Sequence, residues 1–175
     1  SAASDVYKRQ LLQRADGTRY SLEKLVSGKR SILAFLEIGA EPTEHVLNEV
    51  LALEKSAKGN SKGIGCQMLF VLRQEKDLQH KTLQEVLALD AGSEIEILYD
   101  ISGDASDANA APRTASGTLC GWQETAKRMR LAEKLPVLAA VRPDGTGIYG
   151  SCGYHVGSVE LMVRILKEAV RTEAD

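Results

Sequence analysis

Paired cysteines are what this sequence lacks. Its three, Cys66, Cys120 and Cys152, lie far apart, and an odd count at such spacings is neither a disulfide scaffold nor a zinc site. At most one intramolecular pair can form. A basic excess is missing too: 22 Lys and Arg stand against 24 Asp and Glu, for a net charge of −2. No positive field therefore calls for nucleic acid or an anionic membrane surface. No apolar run approaches the ~18–20 residues of a spanning helix, so direct membrane insertion by a helix is not expected. The three histidines, His45, His80 and His155, fall on three different elements, and no spacing announces the three or four ligands of a zinc site. Asp100, Asp104 and Asp107 match a calcium loop only loosely, because the remaining ligand positions of an EF-hand are absent. No Ser/His/Asp or Cys/His set can be assembled from the spacing. Neither a metal nor a cofactor is expected.

What remains is an ordinary globular composition, 43% hydrophobic and 26% charged over 175 residues, enough for one domain with a real core. The chain opens at Ser1 without Met, and "SDVYKRQ" is similar to an adapter-derived peptide found at the ends of open reading frames in metagenomic assemblies. On that reading residues 1–10 are a non-native leader, residues 11–175 are the domain, and the parent chain continued upstream. The other reading makes Val6–Gln13 a polar edge strand.

Along the chain, "LLQRADGTRYSL" reads as two short strands about the turn Ala15-Asp16-Gly17. Ser21 is placed to cap a short helix that stops at Gly28. "SILAFLEI" is almost continuously apolar, as in a strand buried on both faces. Pro42 then suits a first helical position, with Glu41 and Glu44 where the helix dipole favours negative charge. Val46, Leu47, Val50, Leu51 and Leu53 follow at helical spacing. The alternation repeats: strand "GCQMLFVL", helix "KDLQHKTLQEVLAL", strand "EIEILYD". A polar stretch from Ser102 to Gly117 is long for a connection in a compact domain. "TLCGWQETAKRMRLAEK" reads as a helix, "LPVLAAVRPDGTGIYGSCGY" as a hairpin turning at Pro143-Asp144-Gly145, and "GSVELMVRILKEAV" as a closing helix capped by Ser158. Strands alternating with helices predict an α/β fold with a mostly parallel sheet, and the late hairpin adds an antiparallel edge. Residues 31–37, 66–72 and 136–141 are its expected centre.

That order, with "DGTRYSLEKLVSGKRSILAFLEIG" and "LPVLAAVRPDGTGIYGSCGY", resembles the thioredoxin-like superfamily, in its peroxiredoxin and thiol–disulfide oxidoreductase branch. The resemblance covers about residues 11–170. It implies a three-layer α/β/α sandwich with a central mixed sheet and an N-terminal hairpin. "EIEILYD" is then the one extra strand of peroxiredoxin type, and the Leu135–Pro136 bond is cis. It also locates a departure. Aligning Pro42 with the Pro of Cys-x-Pro-Cys puts Ala40 and Thr43 on the two cysteines, and aligning Thr43 with the Thr of Thr-x-x-Cys puts Val46 on the peroxidatic one. Disulfide exchange needs a thiolate, which none of these can supply. The resemblance therefore implies a degenerate active site.

"EPTEHVLNEVLALEK" and "SCGYHVG" further resemble the C-terminal thioredoxin-like domains of bacterial transglutaminase-core proteins, which also carry Glu-Pro-Thr-x-His in place of Cys-x-x-Cys. This implies an extracytoplasmic, non-catalytic accessory or interaction domain of a larger bacterial protein. Its partner is then a polypeptide or a neighbouring domain of the same chain. In redox relatives the turn before the first core helix and the cis-Pro loop bind extended polypeptide. Glu41, Pro42, Thr43 and His45 on one side, with Pro136, Tyr154 and His155 on the other, are the matching positions. The loop at 102–117 is expected over one flank.

Blander readings stand beside these. "EPTE" is a strong helix start in its own right, and His45 and His155 are polar positions near element ends. "AKRMR" reads as a solvated face and His80 as a solvated helix position. Cys66 lies in a buried strand, where a cysteine behaves as a small hydrophobe. Cys120 and Cys152 read as two unrelated thiols, or as a pair meeting across the fold. A redox enzyme working from Cys152 or Cys120 is the alternative function.

Overall fold

The computed structural model describes residues 11–14, 16–37, 40–59, 64–73, 95–100, 126, 130–131 and 134–174. The expected leader, the helix carrying His80, the loop at 102–117 and nearly all of the helix carrying Cys120 and Trp122 lie outside the described residues. So do Asp104 and Asp107.

The uninterrupted apolar runs form the sheet centre because both of their faces are covered. β1 (Leu11–Gln13) and β2 (Arg19–Ser21) form the N-terminal hairpin, followed by α1 (Leu22–Val26). β3 (Ser31–Leu36), α2 (Glu41–Gly59), β4 (Gln67–Arg73) and β5 (Ile95–Asp100) come next. β6 (Val137–Val141), β7 (Gly147–Cys152) and α3 (Ser158–Ala174) complete the described elements. The sheet order is β2-β1-β5-β4-β3-β6-β7. β3, β4 and β5 run parallel, whereas β6 lies antiparallel to β3 and β7 antiparallel to β6. The expected centre, β4–β3–β6, is therefore contiguous. The extra strand is present as β5, between β4 and the hairpin strand β1.

Two-residue periodicity divides the core into two layers. Ile32, Ala34 and Leu36 face one side with Met68, Phe70 and Leu138, beneath Val46 and Val50 of α2 and Met162 and Leu166 of α3. Leu33 and Phe35 face the other with Leu69, Val71, Leu98 and Val137, against Leu22 and Leu25 of α1 and Ala126. Each fully buried Leu or Phe contributes about 1.5–3 kcal/mol relative to exposure. The sandwich is held by both faces of one sheet.

Local punctuation accounts for the ends. The Ser21 hydroxyl accepts from Lys24 N at 3.3 Å, as a cap should. Gly28 sits at φ 75°, and its N–H donates to Pro143 O at 3.0 Å, joining the first helix to the late hairpin. In that hairpin Asp144 Oδ1 accepts from Thr146 N at 2.8 Å, and Gly145 takes φ 89°, which costs glycine nothing. Arg14 joins the first hairpin to β5: its guanidinium pairs with Glu96 and lies 4.4 Å from the Tyr20 ring centroid. The Leu135–Pro136 bond is cis, as the resemblance implied.

Three expectations shift. Strand β3 stops at Leu36, and the exposed Glu37 leaves the sheet. Pro42 is the second residue of α2, one place later than expected, within the ordinary scatter of helix ends. The expected Ser158 cap is a correction. Its hydroxyl donates to His155 O at 2.6 Å instead of accepting from the first turn of α3.

Candidate functional site

The register fixes where the candidate residues converge. Phe35 at the end of β3 pairs with Val137, and Val137 pairs with Cys152. Pro136 thus enters the sheet beside the end of β3, and its carbonyl accepts from Gly153 N at 2.8 Å. Beyond Leu36 the chain turns into α2. Beyond Cys152 it turns through Tyr154 and His155 into α3.

The mouth of α2 is closed by its own side chains. Ala40 O accepts from Thr43 N at 3.1 Å, beginning the helical ladder. The Thr43 hydroxyl donates to Glu37 O at 2.6 Å, tying the first turn back to the end of β3. Thr43 is only 4% exposed. It shapes the surface from beneath, and Pro136 is likewise buried. Val46 is 0% exposed and belongs to the core.

The surface is carried by the longer side chains. Helical spacing puts Glu41, Glu44, His45 and Asn48 on one exposed stripe of α2. The His45 ring stacks on Tyr154 with centroids 5.3 Å apart and planes 13° from parallel. Its Nε2 lies 3.4 Å from Glu41 Oε1, across one helical turn. His155 is exposed, and its carbonyl holds Ser158 N at 3.0 Å. The structure therefore joins Glu41, His45 and Tyr154 by contact, while Thr43 and Pro136 are buried.

Glu49 was not among the sequence candidates. Its carboxylate accepts from Gly157 N at 2.6 Å and Val159 N at 2.7 Å, and from the Tyr154 hydroxyl at 3.3 Å. A carboxylate from α2 thus takes the open N–H groups of α3, where the helix dipole favours it. Burial pushes the Tyr154 phenol up, and the charge and hydrogen bond of Glu49 push it further. No local signal could have found Glu49, because its partners lie more than a hundred positions away in the chain.

Two cysteines fall among the described residues. Cys66 is buried before β4, and Cys152 is half-buried at the end of β7. Cys120 lies outside them, so its relation to Cys152 does too. Among the described residues no group of His, Cys, Asp or Glu is arranged to hold a metal ion.

No family model and no curated protein sequence matches the chain. Solved structures do. A Chlorobium tepidum protein assigned as the thiol:disulfide interchange protein DsbE superposes with a TM-score of 0.55 at 14% identity, covering 89% of this chain and 91% of its own. The pneumococcal exposed lipoprotein thioredoxin of Streptococcus pneumoniae gives 0.54 at 17% identity, covering 90% and 97%. A secreted Mycobacterium tuberculosis disulfide oxidoreductase gives 0.53 at 14% identity, covering 91% and 98%. At such identities the likeness speaks for architecture, and the mixed sheet, its strand order and the two helix layers agree with it: this chain has the thioredoxin-like fold of the thiol:disulfide oxidoreductases.

Proposed function

We propose that the domain is a non-catalytic thioredoxin-like interaction module of a larger bacterial protein, docking a polypeptide or a neighbouring domain of its own chain at the start of α2. The observation that carries this is the mouth of that helix. Ala40 and Thr43 stand where the resemblance puts the two cysteines, and the Thr43 hydroxyl is buried and committed to Glu37 O. No nucleophile is left there, whereas an exposed polar and aromatic surface is. Glu41, Pro42 and His45, with Tyr154 and His155, form that surface over Thr43 and Pro136. Two flanking glutamates disfavour an anion and favour a polypeptide.

The resemblance to domains following a transglutaminase core suggests the neighbour, and an extracytoplasmic setting goes with it. Two of the similar structures come from a protein called exposed and one called secreted. The test is Tyr154→Ala in the parent protein with its native upstream flank. Limited proteolysis should then cut the inter-domain segment faster than in wild type. An unchanged cleavage pattern would remove this surface from the docking role.

A second reading is supported by one position. Cys152 is half-buried beside Gly153, whose N–H bonds the carbonyl of the cis-proline, and the similar structures are disulfide oxidoreductases. In that reading Cys152, or Cys120, is a thiol acting from a non-standard position.

A further inference from the structure

We infer that Glu49 is the positioning residue of this surface: its carboxylate clasps the turn at 154–159 to α2 and so holds Tyr154 against His45. The inference rests on the docking reading for its functional meaning, although its geometry stands alone. His45 and Glu49 occupy successive turns of one helix, so a rigid element carries both the ring and the clasp. The turn between Tyr154 and Val159 is tied within itself, where His155 O accepts from Ser158 N at 3.0 Å and from the Ser158 hydroxyl at 2.6 Å, whereas Glu49 ties it to α2. Within it Val156 is 96% exposed and Gly157 takes φ 82°. Glu49 grips this turn at three points. The two bonds to Gly157 N and Val159 N are short, and the one to the Tyr154 hydroxyl, at 3.3 Å, is the weakest.

The division of labour follows. The two amide bonds fix the backbone and complete the start of α3, a task the Ser158 hydroxyl leaves undone because it is turned toward His155 O. The phenol bond sets the ring. His45 then meets a Tyr154 whose hydroxyl end is tethered to the same helix. A partner arriving at this surface does not have to order the turn, which would otherwise subtract from affinity. Releasing the clasp restores that ordering cost, and binding of the partner weakens by about two- to tenfold.

Around Tyr154 stand Glu49 at its hydroxyl, His45 on its face with Glu41 beside that ring, the Gly157 N–H, and the core against which the tyrosine packs. This makes the phenol a reporter. In Glu49→Ala the folded protein should lose the ring-to-ring nuclear Overhauser effects between His45 and Tyr154. Its phenol should titrate at lower pH than in wild type, because a charge and a bond that raise it are gone. The amides of Gly157 and Val159 should exchange faster. In Glu49→Gln, whose amide oxygen still accepts one N–H, the same changes should appear at smaller size, so the test survives if the alanine variant does not fold. A carboxylate that merely added stability would lower the unfolding midpoint and leave the ring stacking and the phenol titration of the folded protein unmoved. That result in either folded variant overturns the inference. If the stacking disappears while the parent protein's proteolysis pattern stays wild-type, the clasp stands and the docking reading is refuted. Proteolysis accelerated by Glu49→Gln with the stacking intact would refute the clasp.

Discussion

The Thr43 hydroxyl donates to Glu37 O across 2.6 Å, so Thr43 acts as a structural tie between the end of β3 and the first turn of α2. The bond also shows why Thr suits this site. A buried hydroxyl needs a partner, and the strand end supplies one.

Thr43→Val keeps the shape and removes the donor. It should lower unfolding stability by about 0.5–1.5 kcal/mol, the net worth of one ordinary hydrogen bond. Urea denaturation of the two proteins measures it. A larger loss would mean that the turn, as well as one bond, depends on the hydroxyl.

Phe35 and Phe70 lie on opposite faces of the same sheet, each at most 2% exposed. Replacing either by Ala should cost about 3–5 kcal/mol. Because the two layers do not share these side chains, their effects should add within about 0.5 kcal/mol. A strong coupling in the double variant would contradict the two-layer division.

Tyr154 gives the protein an alkaline sensitivity. Its phenol is raised above the ordinary value near 10 by burial first and by Glu49 second. The unfolded chain therefore releases this proton before the folded chain does. The stabilisation is fully present below the unfolded value and is lost as pH rises through the folded one. Tyr99, raised by burial, adds to the same limb. Tyr154→Phe should make the fall in stability above pH ~10 shallower without abolishing it. A limb of unchanged steepness would show that Tyr154 titrates as a free phenol.

The sequence made the sheet centre legible and left the site's fastening hidden, for physical reasons. β3, β4 and β6 announce themselves because a strand covered on both faces must be apolar at every position. The Ser21 cap and the Pro143-Asp144-Gly145 turn are local chemistry, closed within a few residues, and both are found as expected. The start of α3 is the opposite case. "GSVELM" carries a capping residue of the right type, yet Ser158 turns away and Glu49 takes the amides. That choice is made by packing α2 beside α3, which no local pattern encodes. Pairing His45 with Tyr154 is of the same kind: both were candidates for one surface, while their stacking depends on the fold.

The scaffold should accept a Cys-x-x-Cys pair at the start of α2. Residues three apart at a helix start have Cα atoms about 5 Å apart, inside the range a disulfide bridges. Ala40→Cys with Thr43→Cys should form an intramolecular disulfide under mild oxidation, seen as loss of two titratable thiols. Glu41 and Glu44 beside them work against a low thiolate pKa, so thiol alkylation should be slow near neutral pH. Failure to form the bond would show that the mouth of α2 differs from that of a redox domain in backbone as well as side chains.

The central claim is that this fold acts here without thiol chemistry. The most direct test is reduction of insulin disulfides by the purified protein with dithiothreitol, run beside Cys152→Ser and Cys120→Ser variants. The account predicts background turnover in all three. Turnover above background in the wild type, abolished by either substitution, would contradict it and make the domain a disulfide oxidoreductase working from that cysteine.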